Sequence, residues 1–211
     1  MPYQTIIFDW DGTLAMTLHL WLAGYRQSLQ AQQHTFPDSI IARDFFYEHD
    51  QGAVRYPEID FDRMLVETRA YVLEHLSDLE LYPQAKEVLA GLKAEGITMA
   101  LVSSSSRRLV ETGLSMHGLS PYFSSIICGD DVSKHKPDPM AFRLTLEALE
   151  ASAADTLIIG DAKTDILAGH AAGAQTCLFT PPDNELFYDF AELRTSKPTY
   201  EIATLKGLTN L

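Results

Sequence analysis

The chain has 211 residues, 46% hydrophobic and 21% charged, which suits a chain with a sizeable core and excludes a disordered or collagen-like one. Lys and Arg number 16 against 29 Asp and Glu, for a formal net charge of −13. That disfavours nucleic-acid polymers and anionic membrane surfaces as partners, because both are bound through many basic groups. A small anion is not excluded, but its site needs its own cations.

In chain order, residues 5–8 (Thr5-Ile6-Ile7-Phe8) predict a buried strand. From about Thr17 to Leu81 the pattern is helical, with no convincing strand. Helices are expected over 18–33 and over 62–79, the second with Leu65, Val72, Leu76 and Leu79 on one stripe. Between them lies a less regular stretch with Gly52, Pro57 and many aromatics. Residues 84–95 carry Ala85, Val88, Leu89 and Leu92 on one helical face, with Gly96 as the stop. Strands are predicted over 98–102, 125–128 and 156–159, with a fifth candidate over 174–179. A helix over 140–149 presents Phe142, Leu146 and Leu149. Short apolar runs without a polar alternate face fit a parallel sheet covered on both sides. Their alternation with helices predicts a doubly wound α/β core formed by residues 1–16 and 82–211. Residues 17–81 form a helical insertion after the first strand.

Cys128 and Cys177 match no metal spacing and cannot make a disulfide framework. They read as buried, reduced thiols. The start, Met1-Pro2-Tyr3-Gln4, shows no secretory pattern, and no apolar run reaches the length of a bilayer span. The expected location is the cytoplasm.

In an open α/β sheet, ligands bind beyond the carboxyl ends of the strands. The first strand is followed by Asp9-Trp10-Asp11-Gly12-Thr13-Leu14, the second by Ser103 to Ser106. The third is followed by Gly129-Asp130-Asp131 and then Lys136-Pro137-Asp138-Pro139, and the fourth by Gly160-Asp161-Ala162-Lys163-Thr164-Asp165. Asp9 and Asp161 can offer oxygen to a hard cation such as Mg²⁺, and a backbone carbonyl near Asp11 could complete its site. A metal there would let an anionic Asp9 approach phosphorus as a nucleophile. Asp11, two residues on, suits a general acid for the leaving alkoxide and later a base for water. Ser103 and the backbone N–H of Ser104 could hold phosphate oxygens. Lys136 would offset charge in the transition state. Taken singly, each piece has an ordinary reading: a turn, a Ser104 or Ser105 helix cap, a Pro139 first turn, an Asp161 cap. Their order, one at each of four strand ends, is what carries weight.

These residues resemble the haloacid dehalogenase superfamily, in its phosphatase branch. Residues 6–14 are similar to its first motif, Leu101-Val102-Ser103 to the second and Lys136 before Pro137 to the third. Ile159-Gly160-Asp161 with Asp165, Ala168-Gly169 and Ala172-Gly173 is similar to the fourth. Pro198-Thr199-Tyr200-Glu201-Ile202 looks like the family's usual last strand. The resemblance implies a Rossmann-like core with Mg²⁺ held by Asp9, the Asp11 carbonyl and Asp161, and with Asp165 supporting the metal or its waters. It implies that residues 17–81 are an α-helical C1 cap that closes over the site and chooses the substrate. Retention of Asp11 resembles the phosphatases and mutases, and the dehalogenases lack an acid there. The layout is similar to phosphoglycolate phosphatase and β-phosphoglucomutase relatives, with two departures: Ala15-Met16-Thr17 where many have an Asp, and Pro83-Gln84 where many have Pro-Gly. A mutase cap histidine is not found, since His19 has the wrong spacing. The expectation is an Mg²⁺-dependent hydrolase of a small phosphorylated metabolite, monomer or homodimer, working through an aspartyl phosphate on Asp9. A sugar phosphate mutase and a non-hydrolytic phospho-acceptor or ligand-binding relative are the alternatives.

The remaining candidates have plainer readings. Arg26, Arg43, Arg55, Arg63 and Arg69 could meet a second anionic group on the substrate, but ion-paired or solvated roles are expected. Arg107 and Arg108 read as surface charge, and His135 as an exposed loop residue. Trp10 is expected to point away from the flanking aspartates and pack under the hinge. Trp21, Phe36, Phe45, Phe46, Tyr47 and Tyr56 read as insertion core. Phe187, Tyr188 and Phe190 are expected to pack a late helix.

Overall fold

The computed structural model of the chain describes residues 2–46 and 49–211, and the backbone alone of 49–51. The expectation for Tyr47 lies outside the described residues. Six strands, β1 (Thr5–Phe8), β2 (Thr98–Val102), β3 (Ser125–Ile127), β4 (Thr156–Gly160), β5 (Gln175–Phe179) and β6 (Tyr200–Ile202), form one sheet in the order β3-β2-β1-β4-β5-β6. Every pairing is parallel. The chain builds outward from β1 to β3 and then crosses back to start β4 on the other side of β1. The topological switch point therefore lies between β1 and β4, where such sheets bind ligands.

The strands are apolar on both faces because both are covered. Ile6 and Phe8, Met99 and Leu101, Leu157 and Ile159 enter one cluster with Leu89 of α5 (Ala85–Ala94) and Val110 of α6 (Arg107–His117). Ile7, Ala100, Val102 and Ile158 enter the opposite one with Phe142 of α7 (Met140–Ala148) and Ala168 of α8 (Lys163–Ala172). This is the period-two alternation of a pleated strand, hidden in the sequence because both phases are hydrophobic. A fully buried Ile or Leu here contributes about 1.5–3 kcal/mol relative to exposure. Cys128 and Cys177 are buried free thiols, as expected.

Among the described residues, 17–81 hold four α-helices: α1 (Leu18–Ala31), α2 (Asp38–Phe45), α3 (His49–Arg55) and α4 (Phe61–Glu74). A short α9 (Phe190–Leu193) lies between β5 and β6. The insertion has its own cluster, with Leu22, Tyr25, Leu29, Ile41, Phe45 and Met64 at its centre. The expected helix over 62–79 stops early. His75 takes φ −102°, and its Nδ1 meets the Tyr71 carbonyl at 2.8 Å. Leu76 and Leu79 then join the sheet's cluster rather than the insertion's. The two links to the core run side by side: Ala15 bridges Leu81 antiparallel, with Met16 N–H to Glu80 O and Tyr82 N–H to Leu14 O at 2.9 and 3.0 Å. No helix among the described residues is long and apolar enough to cross a membrane.

Candidate active site

Asp9 follows β1 directly, and Asp161 follows β4, so the switch point places two carboxylates side by side. Asp165 sits in the first turn of α8. Oxygens of Asp9, Asp161 and Asp165 lie within 4.8 Å of one another, and all three residues are buried. Lys136, from the loop between β3 and α7, reaches over the end of β2. Its Nζ donates to Asp9 Oδ1 at 2.9 Å, to Asp165 Oδ1 at 2.6 Å and to Val102 O at 3.4 Å. Asp165 Oδ2 accepts from Ala162 N–H at 3.1 Å. Both oxygens of Asp165 are thus engaged: Oδ2 anchors the carboxylate to the start of α8, and Oδ1 holds the lysine.

The turn after β1 wraps around Asp161. Thr13 Oγ1 donates to Asp161 Oδ1 at 2.9 Å. Gly12 takes φ +73°, and a Cβ there would collide with Asp161 Oδ2, so only glycine permits this approach. Gly160 faces Asp165 in the same way.

Charge is unbalanced in this cluster. Burial pushes the Asp9 carboxyl well above the usual carboxylate range; Lys136 opposes this, and the neighbouring carboxylates add to it. Asp161 is pushed up to about 7 by burial and by Asp165, against the hydrogen bonds from Tyr188 and Thr13. Burial works against the Lys136 ammonium, but Asp165 and Asp9 outweigh it and hold its pKa above the ordinary lysine value. Three carboxylates share one ammonium. All the donors are hard oxygens, the set that Mg²⁺ prefers, so the residues fit a divalent cation held by Asp9 and Asp161 with Asp165 behind.

Asp11 stands apart from this trio. Its Oδ2 accepts from Ser105 Oγ at 2.7 Å and Ser103 Oγ at 3.3 Å, and its Oδ1 from Trp21 Nε1 at 3.0 Å. Ser103 is buried and also accepts from Ser105 N–H, while Ser104 is exposed in the loop between them. Neither Ser104 nor Ser105 caps α6: the Arg107 N–H is met by Asp130 Oδ2 at 2.8 Å. Arg107 also pairs with Glu111 and Asp131. Arg108 and His135 are exposed. Trp10 is buried against Leu79 and Gly113 of α6, away from the carboxylates.

Three residues after β5 make contacts that the sequence does not announce. Tyr188, expected to pack a late helix, donates its hydroxyl to Asp161 Oδ2 at 2.7 Å. Its neighbour Phe187 joins the insertion's cluster beside Phe46 and His19. Asn184 is buried, accepts from Tyr82 and donates to Gly12 O at 3.0 Å, so residues 184–188 brace the turn after β1. The only sequence signal for these is an aromatic pair following the last strand-end loop. Trp21 and Ser105 were visible as residue types, but without a reason to meet Asp11. Among the insertion's arginines, Arg26 pairs with Asp38 and Arg63 with Glu67, while Arg43 and Arg55 converge on Asp44.

A parallel sheet with carboxylates at its switch point and a helical insertion after β1 is a Rossmann-like α/β core with an acidic site at its strand ends. The chain belongs to the haloacid dehalogenase-like hydrolases, whose family pattern it matches over residues 6–179. It is 29% identical over an alignment of 219 residues to the pyrophosphatase PpaX of Oceanobacillus iheyensis, spanning all of this chain and 97% of that one. It is 30% identical over 185 residues to the PpaX of Bacillus mycoides, 83% of each chain. A predicted phosphoglycolate phosphatase from Haemophilus somnus has the same fold, with a TM-score of 0.83 at 23% identity over 100% of this chain and 98% of that one. So does CbbY of Rhodobacter sphaeroides, solved with phosphate, with a TM-score of 0.80 at 19% identity over 98% and 96%.

Proposed function

We propose that the protein is an Mg²⁺-dependent phosphatase of a small phosphate monoester, working through an aspartyl phosphate on Asp9. The observation that carries this reading is the buried trio of Asp9, Asp161 and Asp165 at the switch point, with Lys136 bridging Asp9 and Asp165. Asp9 and Asp161, with the Asp11 carbonyl, would hold Mg²⁺, and Asp165 would support it. Bound there, the ion would neutralise phosphate oxygens and let an anionic nucleophile approach.

Asp9 is held in rotation by Lys136 at Oδ1, as in-line attack requires. Its oxygen forms a bond to phosphorus as the bond to the leaving alkoxide breaks. Asp11 gives that alkoxide its proton. Water then attacks phosphorus, Asp11 takes the water's proton, and the bond to Asp9 breaks to release inorganic phosphate. Ser103, the Ser104 backbone and Lys136 would receive the phosphate oxygens. Residues 17–81 would act as the cap, with residues 1–16 and 82–211 as the core. The relatives named pyrophosphatase add inorganic pyrophosphate to the candidate substrates. A cytoplasmic location goes with this reading, since both cysteines are buried thiols, as suits a reducing compartment.

The test is phosphate release from pyrophosphate, phosphoglycolate, sugar phosphates and nucleoside monophosphates, with Mg²⁺ and with chelator. Turnover should need Mg²⁺ and fall by at least about 10³-fold in Asp9→Asn, with an unchanged circular dichroism spectrum. No turnover of any substrate with any divalent metal, or an active Asp9→Asn, would overturn the reading.

A further inference from the structure

We propose that Trp21 is a positioning residue for Asp11, aligning the proton donor only while the helical segment is seated on the core. The inference rests on the preceding reading of Asp11 as general acid. Trp21 lies in α1, yet its indole N–H reaches Asp11 Oδ1 at 3.0 Å. The other oxygen of Asp11 accepts from Ser105 and Ser103, both on the loop after β2. One carboxylate is therefore clamped from two sides, one jaw on the sheet and one on the insertion. The core jaw alone pins a single oxygen. The second oxygen takes its place from Trp21, and with it the plane of the carboxyl group.

Trp21 is also built to report the seating of α1. Its ring packs against both the sheet's hydrophobic cluster and the insertion's. Its backbone N–H bonds Thr17 O at 3.0 Å, directly after the paired links at Ala15 and Leu81. A small shift of α1 about those links displaces the indole N–H from Asp11. Misplacement of a catalytic group by about 1 Å costs up to about 10²-fold. Seating of the segment over a substrate and delivery of the leaving-group proton are thereby coupled through one hydrogen bond.

The test reads kcat/KM, which reports the first half-reaction, where leaving groups differ. The probes are p-nitrophenyl phosphate, whose leaving group needs little protonation, and glycerol phosphate, whose alkoxide needs it. Trp21→Phe should lower kcat/KM about tenfold or more on glycerol phosphate and no more than about twofold on p-nitrophenyl phosphate. Trp21→His, which keeps an aromatic N–H, should recover part of the loss. Asp11→Asn should show the same split, larger. 3-Benzothienylalanine at position 21, an isostere with sulfur in place of N–H, repeats the test with the packing unchanged. Equal losses on both substrates for Trp21→Phe and the isostere, or no loss on either, would overturn the proposal. If Asp11→Asn shows the split and the position-21 variants do not, Trp21 alone is wrongly assigned. If Asp11→Asn shows no split, the general-acid reading fails and this inference with it.

Discussion

Among the described residues, the helical insertion and the strand ends each shield carboxylates from solvent, and the carboxyl pKa moves in opposite directions in the two. In the helical insertion, the Asp44 side chain is 1% exposed. It accepts from Arg43 at 2.7 Å, Arg55 at 2.5 Å and the Tyr56 hydroxyl at 2.8 Å. The Arg43 guanidinium, with Tyr56 and Arg55, outweighs burial and holds the Asp44 carboxyl far below the usual range. At the strand ends, Asp9 and Asp161 lie deeper within the fold, and both are pushed up. Two things differ: the strand-end carboxylates are more deeply buried, and the supply of positive charge is two guanidiniums for one carboxylate in the first against one ammonium for three in the second. The Asp44 cluster is complete and ties α2 to α3. The strand-end cluster is short of cations, and its three carboxylates could hold a metal ion.

The largest effect that could break this comparison is at Asp161. If the shortage is real, Mg²⁺ stabilises the wild-type protein by about 2.7 kcal/mol at a hundred times its Kd, a rise in Tm of about 5–10 °C. Asp161→Asn should abolish that rise. In chelator, the same variant should be at least as stable as the wild type, because it removes one of three crowded negative charges while keeping the shape. Thermal melts with and without Mg²⁺ check both arms. A chelated variant markedly less stable than the wild type would mean that crowding is not costing the apo protein anything.

How much of this was legible in the sequence follows from where each group sits along the chain. Asp9, Ser103 and Asp161 each come directly after a strand, so locating the strand located the residue. Lys136 lies further on in the loop after β3, and Asp165 four residues beyond Asp161 in the first turn of α8. The strands showed because β1, β2 and β4 are apolar on both faces. Tyr188 and Trp21 did not show. Tyr188 reaches Asp161 across 27 positions, and Trp21 reaches Asp11 from a helix that reads as ordinary insertion core. Phe187 reads as packing for a late helix because nothing in its neighbourhood of the sequence says that the insertion folds back onto it. The early end of α4 was hidden because Leu76 and Leu79 keep the helical stripe and pack in the same cluster as Val72 within the helix.

A smaller effect sharpens the comparison from within the site. Tyr188 gives Asp161 a hydrogen bond but no charge, so it orients the carboxylate without relieving the shortage. Tyr188→Phe should raise the Mg²⁺ concentration for half-maximal thermal shift about tenfold, within the range of about 10–100-fold for partners that orient metal ligands. The Mg²⁺ response should weaken and not vanish, in contrast to Asp161→Asn. An unchanged Mg²⁺ titration would detach Tyr188 from the metal site.

The smallest expected effect lies in the insertion, and it has a distinct pH signature. Asp44→Asn keeps the shape but removes the charge that Arg43 and Arg55 share. Those arginines are 64% and 52% exposed, so water screens the pairs and the loss is about 0.5–1 kcal/mol, about 1–4 °C in Tm. The folded pKa of Asp44 is depressed. Its stabilisation is therefore fully present above the ordinary carboxylate pKa of about 3.9 and is lost as pH falls through that window towards the depressed value. Melts of the two proteins should differ most near neutral pH and converge below about pH 4. The Mg²⁺ titration of the variant should match the wild type, because the charge lost here is not the charge missing at the strand ends. A difference that persists undiminished into acid would mean that the amide's fit, not the lost charge, is responsible, and Asp44 would then cease to be the charge-complete counterpart of Asp161.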